Sequence, residues 1–205
     1  METLLLSAAE PETAEIAARI IKNGGLVAIP TETVYGLVCS WEDTAARTRI
    51  YDLKHRSENK PLAAFVASTE NLPSEILPLP ENALRIARAY CPGPVTLVVP
   101  DRKGSTFGFR IPDHPFIRDL LKMYGGALAS TSANLSGKKA ALSVPEALES
   151  IAGEVDLAVD GGVLNADSLP STVIRVFEDS SWQILREGPV TAEMIEKVCT
   201  DGTEG

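Results

Sequence analysis

The stretch Gly24-Gly25-Leu26-Val27-Ala28-Ile29-Pro30-Thr31-Glu32-Thr33 decides how the chain is read. Two glycines stop the preceding helix, an apolar run of strand length follows, and Pro30 hands over at once to hydroxyl and carboxylate side chains. Residues 11–23 carry an amphipathic pattern with Ile16, Ile20 and Ile21 expected on the inward face. The unit is therefore helix, stop, buried strand and polar strand exit.

The same alternation runs outward in both directions. Residues 3–7 and 62–67 read as strands and residues 43–53 and 81–90 as helices. Cys91-Pro92-Gly93-Pro94 closes the second helix, because two prolines and a glycine cannot continue it. Residues 95–99 and 107–111 read as paired strands around the charged turn Asp101-Arg102-Lys103-Gly104. A helix over 115–124 ends at Gly125-Gly126, and Ser143 opens another, with Glu146 completing a capping box and Pro145 in the first turn. Strands at 155–159, 172–177 and 182–185 and a helix at 192–198 complete the pattern, without repeats or long linkers. This predicts an α/β fold in which residues 1–205 form a single domain, an open mixed sheet with flanking helices.

Composition narrows the chemistry. The cysteines, Cys39, Cys91 and Cys199, are odd in number with no close pair, so they read as core residues in a reducing compartment rather than a disulfide or zinc framework. The opening METLLLSAAEPE has no basic residue before its apolar run and is flanked by Glu2 and Glu10, unlike a signal peptide. No apolar stretch approaches the length of a membrane span, so a soluble, cytoplasmic protein is expected. Net charge is −9, and residues 141–205 hold 3 Lys+Arg against 13 Asp+Glu, which excludes a general nucleic-acid binder. Arg47, Arg49, Lys54, Arg56 and Lys60 form a local basic patch opposed only by Asp52 and Glu58. Such a patch suits a small anionic ligand, or equally a solvated, salt-bridged helix face.

Four polar segments sit at element ends, where loops carry function. PTETVYGL (30–37) places hydroxyls and Gly36 after a buried strand, either to meet a ligand at the sheet edge or simply to cap the strand exit. In KHRSENKPL (54–62), Pro61 favours extended geometry, in which Lys54 and Arg56 project to one side and converge on a phosphate or carboxylate. STSANLSGK (130–138) reads as a loop offering hydroxyls and backbone N–H groups to phosphate oxygens. It fails as a Walker A loop, with Ser132 in place of the first Gly and Lys139 in place of the Ser or Thr, and no G-x-G-x-x-G occurs. The fourth segment joins Ser171-Thr172 to Arg186-Glu187-Gly188, and Arg110, between Phe109 and Ile111, needs a partner if buried. His55 and His114 show neither metal-ligand spacing nor a Ser-His-Asp setting and read as surface and helix-start residues.

Taken in order, PTETVYGL, KHRSENKPL, CPGPVTLVV (91–99), FGFRIP (107–112), STSANLSG, LPSTVIRV (169–176) and ILREG (184–188) resemble the YrdC-like threonylcarbamoyl-adenylate synthase family over about residues 10–195. The resemblance implies an open, twisted sheet around a concave basic cleft. It also implies a nucleotidyltransferase that converts L-threonine, bicarbonate (or CO2) and ATP into threonylcarbamoyl-AMP and pyrophosphate. Partner threonylcarbamoyl-transferase proteins would then modify the adenosine beside the anticodon of ANN-decoding tRNAs, with tRNA contact by this chain at most weak or indirect. The resemblance implies a catalytic quartet of Lys54, Arg56, Ser132 and Asn134. Thr33, Arg110, Ser130 and Ser171 would surround threonine, and Arg56, Lys60, Ser132, Asn134 and Arg186 would surround ATP. Mg2+ would be held mainly by the ATP phosphates, without a protein metal site.

The sequence departs from the family pattern at Ser57, where Pro is usual, at Ala140, where Ser is frequent, and at Phe65, where some members place a polar threonine contact. The chain ends soon after ILREG, which predicts that the extra domain of longer members is missing and that any lid is a loop within residues 1–205. The alternatives are a non-catalytic RNA-binding protein of the same fold, a divergent branch without synthase activity, and a carbamoyl-phosphate-using maturation enzyme. The acidic balance opposes the first and the intact PTETVYGL and K-x-R motifs the second. The third occurs within much longer chains with zinc-finger motifs.

Overall fold

The computed structural model describes residues 2–57 and 60–200; Glu58 and Asn59 of the KHRSENKPL motif lie outside the described residues. The first half runs β1 (Leu4–Ser7), α1 (Thr13–Lys22), β2 (Val27–Ile29), β3 (Gly36–Ser40), α2 (Thr44–Lys54) and β4 (Ala63–Phe65). Two short 3-10 turns precede α3 (Glu81–Tyr90), β5 (Val95–Pro100), β6 (Thr106–Arg110) and α4 (Pro115–Tyr124). Then follow β7 (Leu128–Ser132), α5 (Val144–Glu149), β8 (Leu157–Asp160), β9 (Thr172–Val176), β10 (Trp182–Arg186) and α6 (Ala192–Thr200). The 10 strands of the described residues form one open mixed sheet in the order β1-β8-β2-β3-β7-β4-β6-β5-β9-β10. No helix among the described residues is long and apolar enough to cross a membrane.

Local chemistry sets most boundaries. Asp43 caps α2 by accepting from the Ala46 N–H at 2.9 Å. Ser143 caps α5, but Glu146 accepts from the Leu142 N–H at 2.9 Å, closing the box one residue earlier than the simplest pattern. After α1 the chain doubles back so tightly that a Cβ on Gly25 would lie 2.4 Å from Ile20 Cγ2. Gly188 is held in the same way, its would-be Cβ 2.4 Å from the Thr172 nitrogen. The inward face of α1 differs from expectation: Ala14, Ala17, Ala18 and Ile21 are buried, while Ile16 and Ile20 are only half-buried. Small alanines let α1 pack closely on its neighbours, and the larger isoleucines fill the margin.

Two segments that read as polar loops are partly strand. The chain turns at Thr31–Val34 and returns as β3, wholly buried and antiparallel to β2. Ser130-Thr131-Ser132 then completes β7, paired with β3 from Gly36↔Ser132 to Ser40↔Leu128. Their backbone groups are used in the ladder, so only the loop from Ala133 onwards has the freedom first assigned to the whole segment.

Strand alternation sends two kinds of residue to the two faces. On one face Ala28, Leu37, Ala129 and Ala158 pack with Ala46 and Ile50 of α2 and Ala147 of α5. Ala64 lies beside both Ala129 and Phe109, so the same face continues through Leu97, Phe109 and Ile174 under α3 and α6. On the opposite face Val27, Ile29, Val38, Leu128 and Leu157 are covered by α1 and α4. That cover stops at Phe65. Beyond it, Gly108 and Arg110 of β6, Thr96 and Val98 of β5, and Val173 and Arg175 of β9 line an open concavity.

Phe109 is fully buried against α3 and α6 directly behind Arg110. Phe109→Ala should lower stability by about 3–5 kcal/mol in chemical denaturation. An unchanged midpoint would contradict the two-face packing.

Candidate functional site

The concavity on the uncovered half of the sheet has a volume of about 840 Å3, within the range that holds a cofactor-sized ligand. Lys54, Arg56, Lys60, Arg110, Ser130, Ser132, Asn134, Ser171, Thr33 and Arg186 all line it, so the residues that the resemblance assigns to catalysis, ATP and threonine reach one cavity. Arg47 and Arg49 of the basic patch do not line it: Arg47 lies over the Trp41 ring and Arg49 pairs with Asp156. The elements that deliver them are far apart in the chain but adjacent in the sheet, from β3 and β7 through β4, β6 and β5 to β9 and β10.

Lys54 is the last residue of α2, and it is 1% exposed. Its ammonium donates to the backbone carbonyls of Ser132 and Asn134 and to Asn134 Oδ1, the last at 3.4 Å. Ser136 N–H in turn donates to the Lys54 carbonyl at 2.9 Å, so α2 and the loop after β7 are clamped together twice. Three acceptors match the three N–H groups of an ammonium; a neutral amine would turn its lone pair on one of them. Burial, reinforced by the nearby Arg56 charge, pushes the Lys54 pKa down to about 7. Lys54 and Arg56 do meet at one cavity, but not through the expected extended geometry. His55 takes a left-handed conformation, φ 46 and ψ 44, and this turn brings Arg56 to the same cavity. Arg56 then binds its own loop, Nε donating to Lys60 O at 2.8 Å and Nη2 to Pro61 O at 3.0 Å.

Asn134 is also consumed internally, its Nδ2 donating to Leu135 O at 3.0 Å and Lys138 O at 2.7 Å. It shapes the loop that carries Ser136, Gly137 and Lys138 into the lining. Ser130 donates its hydroxyl to Ala63 O at 3.0 Å and therefore presents only lone pairs to the cavity.

A second network surrounds Arg110, which is 5% exposed. Its Nη2 donates to Glu32 Oε1 at 2.7 Å and Thr33 Oγ1 at 3.0 Å, and its Nε to Gly93 O at 3.2 Å. The ring of Phe65 lies against the guanidinium, 5.6 Å from Cζ to centroid. Thr31 Oγ1 donates to Val34 O at 2.7 Å and accepts from the Thr33 and Val34 N–H groups at 3.0 and 3.1 Å, with Thr33 Oγ1 2.9 Å away. Thr33 Oγ1 accepts from Arg110 and keeps a second lone pair for a ligand.

The third corner is Arg186, whose Nε and Nη2 both donate to Ser171 O, at 3.0 and 2.8 Å, while Nη2 also reaches Ser171 Oγ at 3.0 Å. Ser171 Oγ shares a 2.8 Å hydrogen bond with Thr96 Oγ1. Burial lowers the Arg186 pKa, and the charges of Arg110 and Arg56 add to the effect. Three guanidinium groups thus repel one another across the cavity, an arrangement that an anion between them would relieve.

Other candidates fall away from this centre. Burial pushes the Cys39 thiol up to about 12 and Cys91 to about 11, which leaves neither as a nucleophile. His114 is the N-cap residue of α4, without a side-chain cap bond. Among the described residues, no group of three or more His, Cys, Asp or Glu side chains could hold a metal ion. Sequence reasoning did not single out Thr31, Glu32, Thr96 or Arg175. Glu32 and Thr31 lay inside a quoted motif, and the need of a buried Arg110 for a partner was the signal that could have found Glu32.

Comparisons with known proteins agree with this geometry. The Sua5_yciO_yrdC family model, described as "Telomere recombination", matches residues 19–188. The chain is 37% identical over 194 residues to threonylcarbamoyl-AMP synthase of Pyrococcus abyssi, covering 89% of this chain and 56% of that protein. It is 34% identical over 203 residues to the synthase of Bacillus subtilis, covering 94% and 58%. The structure of P. abyssi Sua5 complexed with L-threonine superposes with a TM-score of 0.87 at 33% identity, covering 98% of this chain and 61% of that one. The chain thus spans a little under three fifths of the length of these two curated relatives. The family match over residues 19–188 and these identities make the chain a member of the Sua5–YciO–YrdC family.

Proposed function

We propose that the chain is a nucleotidyltransferase that forms threonylcarbamoyl-AMP and pyrophosphate from L-threonine, bicarbonate or CO2, and ATP. The observation that carries this reading is the convergence of Arg56, Arg110 and Arg186, with Thr31 and Thr33 of the turn before β3, Ser130 and Ser132 of β7 and Ser171 just before β9, on one cavity of about 840 Å3. The relatives named threonylcarbamoyl-AMP synthase support the reaction, and the relative complexed with L-threonine supports the substrate.

The chemistry asks for what these residues supply. The amino group of L-threonine adds to CO2 and gives up a proton to water, and an oxygen of the resulting carbamate then attacks the α-phosphorus of ATP. The bond from that phosphorus to the bridging oxygen breaks, and its electron pair leaves with pyrophosphate. Two anions must be held together in line, so positioning and charge neutralisation account for much of the rate. In this reading Arg110, Thr33, Ser130 and Ser171 hold threonine, its carboxylate towards Arg110 and a donor group towards Thr33. Arg56, Lys60, Ser132, Asn134 and Arg186 surround the nucleotide, with Lys54 and Asn134 keeping the loop after β7 in place. Mg2+ enters as part of the MgATP substrate, since the lining is hydroxyl- and cation-rich rather than carboxylate-rich. The product is a reactive mixed anhydride, so a cytoplasmic threonylcarbamoyl-transferase acting on tRNA is its natural recipient.

Incubation with MgATP, L-threonine and bicarbonate should release pyrophosphate only when threonine is present; threonine-independent release would exclude the reading. Arg56→Ala should cut turnover by about 100-fold or more while leaving the melting temperature close to wild type, and near-normal turnover would remove Arg56 from the machinery. The Lys54 pKa of about 7 predicts a pH signature. Its ammonium is lost as pH rises through that value, so MgATP should bind more weakly at higher pH, and Lys54→Met should bind weakly and without this dependence. An unfolded lysine titrates near ~10.4, so between about 7 and that value unfolding takes up a proton and this group makes stability rise with pH. Titration calorimetry with MgATP across the neutral range checks the affinity, and a flat profile in wild type would contradict it.

A further inference from the structure

We propose that Glu32 is a positioning residue for the amino-acid subsite: it aims Arg110 so that the two N–H groups of Nη1 face the cavity, ready for a carboxylate. The proposal rests on the reading of the cleft as a threonine site.

A guanidinium carries five N–H groups. In Arg110, Nε gives its proton to Gly93 O, and Nη2 gives one proton to Glu32 Oε1 and the other to Thr33 Oγ1. Nη1 has no partner among the described residues, and Arg110 lines the cavity. Of the three contacts, the one to Glu32 is the shortest at 2.7 Å and the only one to a charge. Side-chain exposures of 6% for Arg110 and 18% for Glu32 place the pair largely out of water, where such a contact is strong.

Glu32 is itself fixed from a second element. The Asp113 N–H, in the segment leading into α4, donates to the same Oε1 at 3.0 Å. The strand exit after β2, the end of β6 and the approach to α4 therefore meet at one carboxylate oxygen. Without that anchor the guanidinium could rotate and direct Nη2 at the ligand, and Thr33 would lose the donor that fills one of its lone pairs. Reach decides this role more than charge, because the oxygen must meet Arg110 Nη2 and Asp113 N together.

Two substitutions separate reach from charge. Glu32→Asp keeps the charge on a side chain one methylene shorter, and should raise KM for L-threonine about tenfold while KM for MgATP stays within about twofold. Glu32→Gln keeps the reach and an acceptor oxygen without the charge, and should remain close to wild type in both constants. Melting temperatures of both variants identify loss of fold, which would lower kcat without moving either KM. Similar threonine KM values in both variants and wild type, a rise in MgATP KM of the same size, or impairment of the Gln variant alone would overturn the proposal. Threonine-dependent pyrophosphate release by wild type is measured first. Its absence overturns the reading of the cleft and this role with it, whereas normal wild type with unmoved variants overturns the role of Glu32 alone.

Discussion

Half of one sheet face is left without a helix, and the site depends on that omission. Helices α1 and α4 cover the face from β8 to β7, whereas the strands beyond Phe65 present their side chains to an open cavity. The opposite face is packed along its length by α2 and α5 and then by α3 and α6, so the uncovered half does not cost the fold its core. On the open side the strands carry glycine, threonine, serine and arginine where the packed side carries leucine, isoleucine and phenylalanine. One pleat thus serves stability on one face and recognition on the other.

Buried cations on such a face need partners, and the chain supplies them in graded fashion. Lys54 is held by carbonyls alone, Arg110 by a carboxylate, a hydroxyl and a carbonyl, and Arg186 by the carbonyl and hydroxyl of Ser171. Among the described residues, only Arg110 of these three has a counter-charge. Its positive field is therefore partly cancelled, whereas Lys54 and Arg186 rest on neutral acceptors and carry pKa values depressed by burial and like-charge neighbours. The side of the cavity with uncompensated charge suits a polyphosphate, and the Arg110 side suits a single carboxylate beside a hydrogen-bond donor. An acidic chain of net charge −9 can hold such a site because its negative charge is concentrated after residue 140.

Much of the local structure was legible in the sequence because its causes are local. Asp43, Ser143, Gly25 and Gly125 mark helix ends by capping, close approach or left-handed backbone, and these work within a few residues. Strand β3 and the end of β7 were not legible as strands: β3 follows the polar turn Thr31–Val34 directly, and hydroxyl-rich Ser130-Thr131-Ser132 looks like a loop until its ladder partner is known. Sheet order was beyond reach for the same reason: β7 enters between β3 and β4 by contacts far apart in the chain. At the site, the residue types and motifs pointed to the right side chains, but their bonding did not follow from spacing. The left-handed turn at His55 replaced an expected extended run, and the Lys54 clamp and Glu32–Arg110 pair are tertiary contacts.

The central claim, that one uncovered sheet face holds an amino acid and a nucleotide side by side, is tested most directly by a crystal structure with L-threonine and a non-hydrolysable ATP analogue. The account expects the threonine carboxylate on Arg110 Nη1, a donor of the same molecule on Thr33 Oγ1, and the triphosphate among Arg56, Lys60, Ser132 and Arg186. Threonine bound away from Arg110, or a triphosphate in its place, would contradict it.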